Sequence, residues 1–257
     1  MAHLWVERLR RLDVNGTMVG DAIGFIRGAM SRLEPAFNRD DLQQQYLLPP
    51  PGQDANLGIL PSNFICRDNQ QISLAGDFIA LQYQTGRHVT LADNTPHKPK
   101  DSSVFIYGTS SPSKDDRLFS IHRVWNAEGT GGDRRGVLSA TRSFDNSRCY
   151  QINSGRISLS RQQTYFKVPM DPQGADLWCQ NDMQLPTNIS GHYTLYWVRE
   201  WLTIPTNTTP RGRTEVYTSC MDVQILSGIQ NGTISFERGQ DLNLAGIEEQ
   251  MLASSIS

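Results

Sequence analysis

No stretch of the 257 residues approaches the unbroken apolar length that a membrane-spanning helix needs, and the C-terminal end lacks the apolar run of a lipid-anchor signal. A membrane partner is not expected. Charge is sparse: Asp, Glu, Lys and Arg make up 19% of the chain and the net charge is −2. No basic stripe is left for nucleic acid. Cysteine is limited to Cys66, Cys149, Cys179 and Cys220, at long spacings, so no C-x-x-C pair exists for zinc or disulfide exchange. The stretch from Asn126 to Gly136, NAEGTGGDRRG, is rich in glycine but matches neither G-x-x-x-x-G-K-[ST] nor G-x-G-x-x-G. It reads as a wide loop that needs positive φ values rather than a phosphate cradle. With no G-x-S-x-G elbow, a serine-hydrolase reading also fails.

What is present is β-forming. Short Val, Ile, Tyr and Phe runs are separated by turn clusters, with 21 glycines and 13 prolines in the chain. That pattern predicts an all-β fold, an immunoglobulin-like antiparallel β-sandwich with long loops. We expect one domain over residues 3–226 and a peripheral tail over 227–257, where the pattern fades apart from a short amphipathic stretch at Leu242–Leu252. The organising stretch is Gly76–Leu91, GDFIALQYQTGRHVTL: a β-branched and aromatic strand, a Thr85-Gly86 turn, and His88 just past its end. A histidine there sits on a rigid scaffold in an exposed loop, which suits a ligand.

Other segments follow the same logic. His3–Val19 reads as two strands around an Asn15-Gly16 turn, with a helix as the competing reading because Leu4, Leu9 and Leu12 are roughly helix-spaced. Gly20–Ser62 reads as a long irregular excursion, with a helical turn or two in Asp40–Leu48 before Pro49-Pro50-Pro51-Gly52. Val104–Tyr107, Leu118–Trp125, Arg156–Leu159, Thr164–Val168, Gly191–Ile204 and Glu215–Leu226 read as strands or strand-like pieces. His122, among apolar neighbours, is expected to be satisfied and half-buried, and His97 to be solvated in its Pro/Lys loop.

Sequons stand at Asn15, Asn188, Asn207 and Asn231, each with Ser or Thr two residues on. Four of them beside an even number of cysteines point to a secreted glycoprotein. Cys149 and Cys179 flank one segment and are expected to clamp it as a pair. The sequence opens Met-Ala-His-Leu-Trp, without a signal peptide. A leader removed or left out is the reading adopted; a cytosolic protein with free cysteines is the alternative.

Two blocks resemble the fungal lytic polysaccharide monooxygenases, copper enzymes that cleave glycans oxidatively. Gly191-His192-Tyr193-Thr194-Leu195 is similar to the start of their penultimate strand, Gly-x-Tyr-x-x-Arg-x-Glu. Glu215-Val216-Tyr217-Thr218-Ser219-Cys220 is similar to their Gln-x-Tyr-x-x-Cys. His3 near the N-terminus and His88 past a first-half strand match in order. A longer resemblance, over most of residues 3–225, is to an uncharacterised family of secreted fungal proteins whose mature chains begin His-x-Trp-Val-Glu. It rests on His3-Leu4-Trp5-Val6-Glu7, Val124-Trp125-Asn126, Gly129-Thr130-Gly131-Gly132-Asp133 and Ala175-Asp176-Leu177-Trp178-Cys179-Gln180-Asn181-Asp182.

The resemblance implies a histidine brace: one copper held by the imidazole and free α-amino group of His3 and by the imidazole of His88, with Tyr217 on the axial side. It implies a polysaccharide or cell-wall glycan as partner, a Cys66–Cys220 disulfide, and an outer-sphere role for Glu215, where the cellulose-active enzymes carry glutamine. The alternative for Glu215 is an exposed strand carboxylate. The histidine those enzymes carry after the Arg-x-Glu strand has no counterpart, the stretch here reading Trp201-Leu202-Thr203. Trp5 and Trp201 could face a glycan, with the core as the alternative for tryptophans at strand positions. The brace requires cleavage after Ala2, since Met-Ala-His would otherwise wrap copper through its own amides. The expected protein is a monomer. It is either a copper-dependent polysaccharide monooxygenase or a copper-binding or cell-wall-associated glycoprotein without turnover; a plain extracellular glycoprotein in which His3 and His88 never meet is the third reading.

Overall fold

The computed structural model describes residues 4–12, 18–30, 32, 34–37, 44–54, 57–67, 72–75, 78–85, 87–91, 98, 102–169, 173–207 and 210–226. Ten strands are drawn from them: β1 (Val6–Leu12), β2 (Met18–Gly24), β3 (Tyr46–Leu48), β4 (Ile72–Ala75), β5 (Phe78–Tyr83), β6 (Ser103–Thr109), β7 (Val137–Ser143), β8 (Cys179–Gln184), β9 (Gly191–Thr203) and β10 (Arg213–Ile225). Three short helices are α1 (Arg87–Thr90), α2 (Leu118–Ile121) and α3 (Arg156–Thr164). One sheet runs β2-β1-β5-β8, the other β3-β10-β9-β6-β7, with β4 also on β10. All pairings are antiparallel except β4 on β10. The fold is the expected all-β sandwich.

Its spine is the β9–β10 ladder, from Arg213 opposite Thr203 to Ile225 opposite Gly191. Alternation along β9 sends Tyr193, Leu195 and Trp197 into the core between the sheets, where Leu9, Ile79, Leu81 and Tyr83 meet them. Tyr196 and Val198 point the other way and are also buried, against Leu118, Ile121 and Trp125. Both faces of the larger sheet are thus covered, which explains a strand more apolar than simple alternation. Trp197 is fully buried. Truncating a side chain of this kind to alanine costs about 3–5 kcal/mol.

β10's outer edge is shared. β3 pairs with Val216–Thr218 and β4 with Asp222–Ile225. Between them Arg27 N–H donates to the Cys220 carbonyl at 2.8 Å, and Cys220 is disulfide-bonded to Cys66. The Thr218 hydroxyl donates to the Ile65 carbonyl at 2.6 Å. An edge that would otherwise offer unpaired backbone groups is paired by β3, β4 and the Arg27 amide, while the disulfide and the Thr218 hydroxyl fasten the neighbouring segment to it.

Four expected elements differ. Leu118–Trp125 is not a strand but α2 followed by turns. Leu118, Ile121 and Trp125 stand at i, i+3 and i+7, a helical spacing that buries all three on the outer face of the sheet. Arg156–Leu159 is the start of α3; Ser158 is fully buried while Leu159 is 47% exposed, and Gln162 one turn on donates to the Ser158 hydroxyl at 2.8 Å. Tyr46–Leu48, assigned to a helical stretch, pairs with β10 instead, and Thr164–Val168 makes no strand. β1 resolves the strand-or-helix question in favour of a strand held between β2 and β5. The tail 227–257 lies outside the described residues.

Candidate functional site

Tyr217 stands on β10 directly across from Arg199 on β9, and its side chain is 3% exposed. Residues two apart on a strand share a face. Trp201, 6.4 Å away ring to ring, covers it, and the Arg199 guanidinium lies 5.9 Å from its centroid. Burial first, and the neighbouring Glu215 carboxylate second, push the Tyr217 phenol above its ordinary pKa of 10.0. The hydroxyl stays protonated at any physiological pH.

Arg199 is itself enclosed, 1% exposed, donating from Nε to the Ser102 hydroxyl at 2.9 Å and lying 3.5 Å over the Phe144 ring. Burial lowers its pKa to about 9, which leaves it a cation at neutral pH. Glu215 shares the Tyr217 face. Lys98, 117 residues away in sequence, bonds one of its carboxylate oxygens, and Arg213 Nε faces the other at 3.8 Å. The same Lys98 ammonium sits 3.7 Å from the Trp201 ring centroid. Burial lowers the Lys98 pKa, and the Glu215 carboxylate opposes that shift.

The N-terminal segment arrives at the same end of the sandwich. Leu4 N–H donates to the Gln45 side chain at 2.9 Å, and Val6 N–H donates to the Ser219 hydroxyl, two residues past Tyr217, at 3.0 Å. Val6 also pairs with Tyr83, the last residue of β5. α1, which contains His88, begins four residues beyond Tyr83, and its Val89 shares a core cluster with Leu4 and Tyr217. Leu4 and Val6 therefore lie beside β10 and the end of β5, the strand that leads into α1. His3 lies outside the described residues, and so does the His88 side chain. Among the described residues no group of three or more His, Cys, Asp or Glu side chains is arranged to hold a metal.

Trp5 and Trp201 are core residues, each 3% exposed. The two disulfides are Cys66–Cys220 and Cys149–Cys179. Asn188 and Asn207 are exposed on a turn and a bend, while Asn15, Asn231 and His97 lie outside the described residues. Sequence reading passed over Lys98 and Arg199. Lys98 belongs to a polar stretch of sequence without periodicity, and its partners Glu215 and Trp201 are both long-range. Arg199 did leave a signal, a cation on the core-facing side of an otherwise apolar strand.

A family model described as a domain of unknown function, DUF7492, matches residues 1–248. No curated protein matches this chain. Solved structures with similarity include CvAA9A, 14% identical, covering 93% of this chain and 86% of that one, with a TM-score of 0.34. A cellulose-active polysaccharide monooxygenase from M. thermophila is 11% identical, covers 92% and 84%, and has a TM-score of 0.31. An AA10 lytic polysaccharide monooxygenase from Streptomyces lividans is 15% identical, covers 63% and 65%, and has a TM-score of 0.26. Scores this low carry no argument about a site.

Proposed function

The chain belongs to the DUF7492 family, and on that premise we propose that it is a secreted copper protein with a histidine brace at His3 and His88, Tyr217 beside it, that oxidises polysaccharide glycosidic bonds. The observation that carries this reading is the bond from Val6 N–H to the Ser219 hydroxyl. It draws the chain just past His3 onto β10 two residues from Tyr217, while Val6 pairs with the strand that leads to His88.

The donor set fits the metal. Two imidazoles and the α-amino group of a chain beginning at His3 are nitrogen ligands suited to tetragonal Cu(II). The α-amino group, with an ordinary pKa of about 7.7–8.0, must give up its proton for this. Copper, when bound, supplies one-electron redox chemistry towards oxygen or peroxide. The chain's own residues set the surroundings. Tyr217 offers a phenol that burial keeps protonated, and Glu215 offers a carboxylate on the same face of β10. Arg199 holds a positive charge behind the Tyr217 ring. The working domain is residues 3–226, as a monomer, with 227–257 as a peripheral tail and N-glycans at the sequons.

A second reading, a copper-binding or cell-wall-associated glycoprotein without turnover, is favoured by one observation. Trp5 and Trp201 are both buried, and Lys98 covers the Trp201 ring, so neither indole offers a stacking face for sugar.

Cu(II) EPR with calorimetry on protein cut to begin at His3, beside its His88→Ala variant, tests the site. The expected result is one tight tetragonal site that loses most of its affinity in the variant. Affinity unchanged by His88→Ala, or no binding, overturns the brace. Reductant-driven peroxide formation and glycan oxidation then separate the two readings.

A further inference from the structure

Glu215 is a long side chain with three rotatable bonds, and at the end of a sheet it would ordinarily sample several rotamers. Here one oxygen is bonded by the Lys98 ammonium and the other faces Arg213 Nε at 3.8 Å. The pair is largely enclosed, with Lys98 and Glu215 side chains 13% and 17% exposed, unlike the surface ion pairs that contribute little. Lys98 is anchored independently, because its ammonium also lies 3.7 Å from the Trp201 centroid, and Trp201 packs on Tyr217. A single cation from the β5–β6 connection thus grips a carboxylate and an aromatic ring that both border Tyr217.

We propose that Lys98 is the positioning residue for Glu215, holding its carboxylate in one orientation beside Tyr217. The proposal rests on the reading of this end of the sandwich as the copper site for its consequence at the metal. It rests on the ion pair alone for its consequence at Glu215. Glu215 without Lys98 keeps its charge and its approach to Arg213 but loses the bond that holds its other oxygen, so any group bound beside Tyr217 meets a less tightly held carboxylate. Lysine to arginine keeps the cation and the ring contact; lysine to glutamine removes both.

The test uses the full chain, free of metal, with 13C-labelled glutamate carboxyls read by NMR. Glu215→Gln identifies the Glu215 signal by its loss. The expected result is that Lys98→Gln shifts and broadens that signal and Lys98→Arg restores it. A Glu215 signal unmoved by Lys98→Gln overturns the proposal. A second arm loads Cu(II) into the same variants cut to begin at His3. Lys98→Gln and Glu215→Gln are expected to perturb the EPR spectrum in the same sense and to lower copper affinity about tenfold. A Lys98→Gln spectrum identical to wild type, beside a perturbed Glu215→Gln spectrum, overturns the role of Lys98 at the metal. If no variant binds copper, the copper reading falls, and the NMR arm still decides what Lys98 does to Glu215.

Discussion

At His122 both ring nitrogens are bonded, Nδ1 with the Tyr107 hydroxyl at 3.0 Å and Nε2 with Glu200 at 2.8 Å, and Phe105 meets the ring edge-on. The histidine is buried and satisfied, more deeply than its sequence neighbours implied. The consequence falls on Glu200. Burial acts to raise its pKa, but hydrogen bonds and charge from His122 and Arg123 outweigh that and bring it down to about 2 from an ordinary 4.5. A depressed folded pKa adds stability that is complete above about pH 4.5 and is lost as pH falls towards 2. Denaturant melts between pH 5 and pH 2 should therefore show a falling stability that is shallower in Glu200→Gln. Equal slopes in the two proteins would remove this assignment. At Tyr217 and Glu215 the same residue-level forces act in a different setting: burial keeps the phenol protonated, and Lys98 supplies the counter-charge.

Among the elements, the loop from Asn126 to Gly136 repays its glycines. Gly129 and Gly132 have φ of 67° and 57°, the left-handed values expected of it. Gly131 answers to a different constraint. A Cβ there would lie 2.0 Å from the Val124 carbonyl oxygen, and the Asn126 side chain accepts from its N–H at 3.1 Å. Gly131→Ala must move backbone, so thermal melts should report a loss of about 1–3 kcal/mol, in the range of forced overpacking. A variant as stable as wild type would show the loop to be freer than this geometry. The loop's aromatic anchor is Trp125, whose Nε1–H donates to Asp133 at 3.0 Å, so these glycines serve a folded turn and not a phosphate. Two of the elements misread from sequence, α2 and α3, are short ones whose few apolar residues fit either period. α2 is selected by the outer face of β9 and β6, which needs Leu118 and Ile121 beneath it.

Across the whole molecule, two disulfides join segments far apart in sequence. Cys66–Cys220 spans 154 residues and ties the segment before β4 to the middle of β10. Cys149–Cys179 spans 30 and closes the stretch that carries α3 onto the start of β8. Replacing Cys149 and Cys179 together by serine should cost about 2–5 kcal/mol. Chemical denaturation of the oxidised proteins measures it, and a change under 1 kcal/mol would show that α3 is held by Arg161, which grips Asp145 and the Cys149 carbonyl, instead.

Much of this architecture is written in local sequence. β9 and β10 are long, β5 is short but apolar and aromatic, and all three are rich enough in strand-forming residues for composition to mark them as strands. The glycine loop is equally local, because a positive φ is a property of one residue. β7 and β8 were not legible: VLSATRS and CQNDMQ are polar, and they are strands because β6 and β5 offer them edges to pair with. The candidate site divides the same way. Tyr217 and Cys220 stand out by the resemblance of Glu215–Cys220 to the Gln-x-Tyr-x-x-Cys motif. Lys98 does not, because the partners Glu215 and Trp201 lie more than 100 residues away. Sequence by itself determined that the segments of β5, β9 and β10 become strands and which of their residues share a face, since both follow from periods of a few residues. Only tertiary structure decided the edge partners of β10, the grip of Lys98 on Glu215 and Trp201, and the meeting of the N-terminal segment with Ser219, because these depend on segments brought together only by folding.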